Sequence, residues 1–143
     1  MADIVHSVEV AAAADAVYPL VSSGRGFQAW WAEDVDVTAD GAAELGFFNR
    51  ATVYRLRAAS LEAGRKAVWQ VETGEEWSGT RLVFEMEARK SGTLVRFTHA
   101  GWARASEYFV SCNTTWGALM YRLKPAAEGK APGPLFLAGG LSY

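Results

Sequence analysis

Residues 77–102 read WSGTRLVFEMEARKSGTLVRFTHAGW, and their alternation decides the fold. Leu82, Phe84, Met86 and Ala88 alternate with Arg81, Glu85, Glu87 and Arg89, with Val83 as the exception. After the turn signal Ser91-Gly92, Val95, Phe97 and His99 alternate with Arg96 and Thr98. A period of two with one apolar and one charged face is the pattern of a half-buried strand. A link this short joins antiparallel neighbours.

The same period runs upstream. It predicts strands at Val35–Thr38, Ala42–Phe48, Ala51–Leu61 and Lys66–Thr73, followed by Thr80–Arg89 and Thr93–Ala100. Asp40-Gly41, Asn49-Arg50, Ala63-Gly64 and Gly74-Glu75-Glu76 supply the turns. Tyr54, Leu56 and Ala58 oppose Arg55 and Arg57, and Trp69 and Val71 oppose Gln70 and Glu72. Before this meander lies a strand at Asp3–Val10, with Ile4, His6, Val8 and Val10 on one face. A helix is expected at about Ala14–Val21, then a break at Gly24 and Gly26, then a second short helix carrying Phe27, Trp30 and Trp31.

An apolar sheet face needs a cover. Downstream, Ser106 is a good N-cap, and Phe109, Cys112, Trp116, Leu119, Met120 and Leu123 recur at helical spacing. The helix is expected to reach about Lys124, where Pro125 ends or kinks it. The expectation is an α+β fold: a curved antiparallel sheet of about seven strands around a long C-terminal helix. The domain is expected to span 1–128. Residues 129–143 form a Gly- and Pro-containing tail that carries Leu135, Phe136, Leu137 and Leu141. The tail is expected to pack back on the domain or to dock on another subunit.

Composition bounds the function. A chain of 143 residues, 50% hydrophobic and 21% charged, is one ordinary globular domain. A net charge of -2 with scattered Lys and Arg argues against nucleic acid as the partner. No apolar run approaches the ~20 residues that span a bilayer, so no membrane role is expected. Cys112 is the single cysteine, and the N-terminus lacks the basic start of a signal peptide. A cytoplasmic location is expected.

Six Trp, five Tyr and seven Phe are the outstanding feature. Trp30, Tyr54, Trp69, Phe84, Phe97, Trp102, Phe109, Trp116 and Met120 are expected to face the interior or its rim, and to line a pocket for a ligand. Parity places His99 with them. Three readings of His99 stand: a general base, a hydrogen-bonding hook for a ligand, or a satisfied core residue. Base chemistry wants a second titratable group, and the inward faces offer only His6. No catalytic residue is assigned. His6, His99 and Cys112 lack metal-ligand spacing, so neither a metal nor a cofactor is expected.

The element order, with VEVAAAADAVYPLV (8–21), GFQAWWAEDVDV (26–37), the 77–102 run and NTTWGALMYRLKPAAEGK (113–130), resembles the START-like (SRPBCC) superfamily. Within it, the chain resembles bacterial relatives of the activator of heat-shock protein 90 ATPase. The likeness covers about residues 3 to 134. It departs at Pro125, where such chains continue as helix. The resemblance implies a helix-grip fold with a cavity between sheet and helix, and binding of a small hydrophobic molecule. The alternatives it carries are a protein-interaction module, with a chaperone or a second copy as partner, and a cyclase- or hydrolase-like enzyme using His99.

Overall fold

The structure, a computed structural model, describes residues 1–142. β1 (Ala2–Val10) leads into α1 (Ala14–Val21) and α2 (Gly24–Phe27). The meander follows: β2 (Asp34–Val37), β3 (Ala43–Phe47), β4 (Thr52–Glu62), β5 (Lys66–Val71), β6 (Arg81–Arg89) and β7 (Gly92–Trp102). α3 (Glu107–Ala127) and a small hairpin of β8 (Phe136–Leu137) and β9 (Gly140–Leu141) complete the chain. Every expected strand edge lies within two residues of the observed one.

The seven long strands form one antiparallel sheet in the order β1-β7-β6-β5-β4-β3-β2. Only β1 is out of sequence, pairing Val5 with Thr98 and His6 with Phe97. The expected faces hold at the centre of the sheet. Leu82, Phe84, Val95, Phe97 and His99 are fully buried, and Arg81, Glu85 and Arg96 are exposed. Ala58 and Ala88 share the inward parity but are exposed: Ala88 is one residue from the end of β6, and β4 bulges between Ala58 and Ser60.

Two local expectations are corrected. The second short helix is one turn, Gly24–Phe27, and Trp30 and Trp31 lie in the turns after it. Gly24 and Gly26 do not break the chain but form that turn. A Cβ on Gly26 would sit 2.1 Å from the Pro19 carbonyl oxygen, so only glycine lets α2 approach α1 this closely. The third helix runs past Pro125 to Ala127. Proline removes a donor but keeps its acceptor, and Lys130 N–H bonds the Pro125 carbonyl at 2.9 Å. The last turn is also clamped from outside. Lys124 donates to the Glu9 carbonyl and to Glu128, and Glu128 accepts from Ala11 N–H at 2.8 Å. Lys124 and the Ala11 amide together hold the Glu128 carboxyl down at about 2.

As expected, Ser106 caps α3, accepting from Phe109 N–H at 3.2 Å. The helix is about 31 Å long at ~1.5 Å per residue and buries Cys112, Trp116, Leu119, Met120 and Leu123 against the sheet. On the outer face, Arg55 and Arg57 bridge Asp40 and Glu72. These charges satisfy one another in solvent while the opposite face of the same strands builds the core.

Candidate functional site

His99 is fully buried on β7, and its hydrogen bonds define its state. Trp116 Nε1 can only donate, and it points at His99 Nδ1 from 3.2 Å. The Thr80 hydroxyl donates to the Trp77 carbonyl, which can only accept. With that hydroxyl proton used, His99 Nε2 must carry its own and donate it to Thr80 Oγ1, 2.8 Å away. The imidazole is therefore neutral, protonated on Nε2, with both nitrogens engaged. Burial pushes its pKa down to about 3.

A cavity of about 310 Å³ lies on the other side of this network. Its floor is aromatic: Trp31, Trp77 and Trp116. The hairpin of β3 and β4 contributes Phe47, Thr52 and Tyr54 as one wall, and α3 contributes Tyr108, Cys112, Thr115 and Leu119 as another. The third wall is the C-terminal segment, through Leu135, Phe136 and Leu141. That segment is laid in place by backbone bonds: Leu135 N–H to Trp30 O at 3.1 Å, Phe136 N–H to Trp31 O at 3.0 Å and Asn49 N–H to Ala138 O at 2.6 Å. Of the two expectations for the tail, packing back on its own domain is the one seen. At the lip, Phe48 holds a left-handed backbone (φ +54) and meets Phe136 edge-on at 5.9 Å. A bulky residue in that region carries strain.

Of the ten expected pocket residues, Tyr54 and Trp116 line this cavity. The other eight lie elsewhere in the interior. Phe84, Phe97 and His99 form the layer beneath, with Phe97 packed on Trp116 at 4.1 Å and on Phe84 at 5.0 Å. Trp30 and Trp69 face the first helices, donating to Leu20 O and Val21 O at 2.8 Å each. Trp102 and Phe109 pack edge to face at 5.3 Å near the start of α3, and Met120 is buried on that helix.

Trp77 is central and has no periodic signal in the sequence. It follows β5 in a loop, stacks on Tyr54 at 3.9 Å and 3°, and touches His99 and Trp116 at 4.5 and 6.0 Å. The usable signal is Gly74 and Gly79 flanking it. Gly74 has φ +122, and a Cβ there would lie 2.8 Å from the Tyr54 ring. We expect Gly74→Ala to displace Trp77 and destabilise the fold by about 2–3 kcal/mol. Urea denaturation measures this, and a loss below about 0.5 kcal/mol refutes the packing argument.

Polar groups in the cavity are few. The Tyr54 and Tyr108 hydroxyls are hydrogen-bonded to each other. Burial pushes both phenols and the Cys112 thiol upward, so all three stay protonated at neutral pH. Among the described residues no group of three or more potential metal ligands occurs, and no helix is long and apolar enough to cross a membrane.

A sheet gripping a C-terminal helix, with a half-open cavity beside that helix, defines the class: a helix-grip domain of the START-like (SRPBCC) superfamily. Within it, the chain belongs to the family described as "Polyketide cyclase / dehydrase and lipid transport", whose model matches residues 1–139. Among solved structures it is similar to the Aha1 dimer of Colwellia psychrerythraea, at 26% identity and TM-score 0.78, covering 91% of this chain and 98% of that one. It also shares the fold of CalU16 from Micromonospora echinospora (19%, TM-score 0.69, 92% of this chain and 68% of that one). DynU16, from the dynemicin biosynthetic locus, is a further match (14%, TM-score 0.73, 91% and 48%). No curated protein sequence matches.

Proposed function

We propose that the protein binds a small hydrophobic ligand between the β3–β4 hairpin, α3 and the C-terminal segment. The observation that carries this is the cavity: about 310 Å³, walled by three tryptophans, further Phe and Tyr rings and aliphatic side chains. That volume is at the lower end of the ~300–1,000 Å³ typical of small-molecule sites. A half-open concavity of that size with a mostly apolar lining is the usual form of a small-molecule site. The family description, which includes lipid transport, supports the same reading.

The state of His99 favours binding over His99-based catalysis. Both ring nitrogens are engaged, and His99 is not among the residues lining the cavity. A base needs a free lone pair facing its substrate. The likeness to the Colwellia Aha1 dimer favours a second reading, a protein-interaction module. Stimulation of the host's heat-shock protein 90 ATPase is its test.

For the ligand reading, naphthalene is titrated into the protein while tryptophan fluorescence is followed. Saturable quenching is expected, because Trp31, Trp77 and Trp116 line the site. Thr115→Phe, which fills the cavity from a half-buried helix position, should weaken binding at least about tenfold. No saturable change in the wild type refutes the reading, and unchanged affinity in Thr115→Phe refutes the location.

A further inference from the structure

The cavity's polar chemistry is narrower than its shape. Among the described lining residues, not one is Asp, Glu, Lys, Arg or His. The helix hydroxyls are partly spent: Thr114 donates to Val110 O at 3.4 Å, and Thr115 donates to Ser111 O at 3.2 Å. Thr52 and Ser111 add hydroxyls and Trp77 an unpartnered buried N–H, so every polar group of the lining is neutral; the Tyr54–Tyr108 pair offers two hydroxyls at one point. Two hydroxyls hold two protons, and the bond between them uses one. One O–H remains to donate, with oxygen lone pairs beside it to accept. Tyr54 is held rigid by its stack on Trp77, so the pair forms a fixed polar point in a mostly apolar, uncharged lining.

We infer that the site selects an uncharged, ring-containing ligand with a neutral hydrogen-bonding group, such as an amide, ketone or phenol, placed against Tyr54 and Tyr108, and that it rejects the carboxylate of the same shape. This rests on the ligand-binding reading above. The physical reason is desolvation. An ion entering the chamber loses water and finds no opposite charge to replace it. The surroundings lean further against anions: Glu75 adds to the upward push on the Tyr54 phenol, and Glu76 to that on Tyr108 and Cys112, behind the main effect of burial. A fatty acid or other ionised lipid is therefore a poor fit, and a neutral ring compound a good one.

Three probes of one skeleton test this at pH 7: 2-naphthamide, naphthalene and 2-naphthoate, the last ionised at that pH. The amide is expected to bind tightest and naphthalene about fivefold weaker, the scale of one hydrogen bond. The naphthoate should bind at least about 30-fold weaker than the amide. The double variant Tyr54→Phe/Tyr108→Phe, which removes both hydroxyls of the pair, should abolish the amide's advantage over naphthalene. A naphthoate affinity within about threefold of the amide's overturns the inference, as does a 2-naphthylmethylammonium ion that binds more tightly than the amide. The double variant with the amide's advantage intact overturns the assigned hydrogen-bonding point. In those cases naphthalene still binds and the cavity reading stands. If none of the probes binds, the cavity reading itself falls and takes the inference with it.

Discussion

Replacing Trp116 by alanine should lower the unfolding free energy by about 4 kcal/mol, within the range for deleting a buried indole. Trp116 is 1% exposed and is where three layers meet. Its ring lies 4.1 Å from Phe97, 4.9 Å from Trp31 and 6.0 Å from Trp77. Its N–H is the donor that satisfies His99 Nδ1. Alanine removes the ring and leaves a buried acceptor unpaired, and both effects have the same sign. The cavity also loses part of its floor, so naphthalene quenching should weaken with stability. Trp116→Phe separates the contributions. It retains most of the ring, loses only the donor and should cost about 1–2 kcal/mol. Urea unfolding at constant m-value measures both variants. A loss below about 2 kcal/mol for the alanine variant would show that the indole is not integral to the core.

The second large effect is acid destabilisation through His99. The sign follows from its depressed pKa. The unfolded chain takes up a proton at the ordinary value of 6.5, whereas the folded chain resists until about 3. The unfolded state therefore binds more protons between those limits, and stability falls as pH drops through that window. The loss should be about 2 kcal/mol between pH 7 and pH 5 and about 4 kcal/mol by pH 3. The carboxylates of Glu72 and Glu62 sit below their ordinary values through hydrogen bonds from Arg57 and Arg65. Their stabilising effect is present above the unfolded carboxylate value and is lost only at lower pH, so the pH 5–7 interval isolates the imidazole from them. Urea unfolding at pH 5, 6 and 7 measures the slope. In His99→Gln, less stable throughout, most of the slope should vanish. An equal slope in both proteins refutes the assignment. Imidazole nitrogen shifts provide a direct check: the Nε2–H tautomer should persist in the folded protein at pH 5.

These predictions separate what is local from what is not. The period of two in β6 and β7 put His99 on the inner face, because successive side chains in a strand point to opposite sides whatever the rest of the chain does. Spacing in α3 likewise identified the buried stripe through Cys112, Trp116 and Leu123, since neighbours on a helix face recur at three and four residues. The β2–β7 meander and the helix covering it followed from such patterns and from short turns, whereas the place of β1 beside β7 did not.

The site was less legible. Parity says that a ring faces inward, not whether it meets another ring or a void. Tyr54 and Trp116 line the cavity while Phe84 and Phe97, on the same inner face, are packed beneath it. That difference depends on how the sheet curves over α3. Trp77 sits in a loop, where no period exists to assign a face, and its position is determined by Gly74 and the Tyr54 ring. Pro125 reads locally as a stop, yet the helix continues because Lys124 and Glu128 tie its end to β1. Leu135, Phe136 and Leu141 become a cavity wall only through backbone bonds to residues about a hundred positions earlier in the chain. By itself the sequence determined the secondary structure and most of the inward-facing positions within it, because those depend on neighbours a few positions away. The tertiary structure alone decided which of them leave a space, and which polar groups close on one another as Trp116, His99 and Thr80 do, because hydrogen bonds and voids form between surfaces that the chain brings together only once folded.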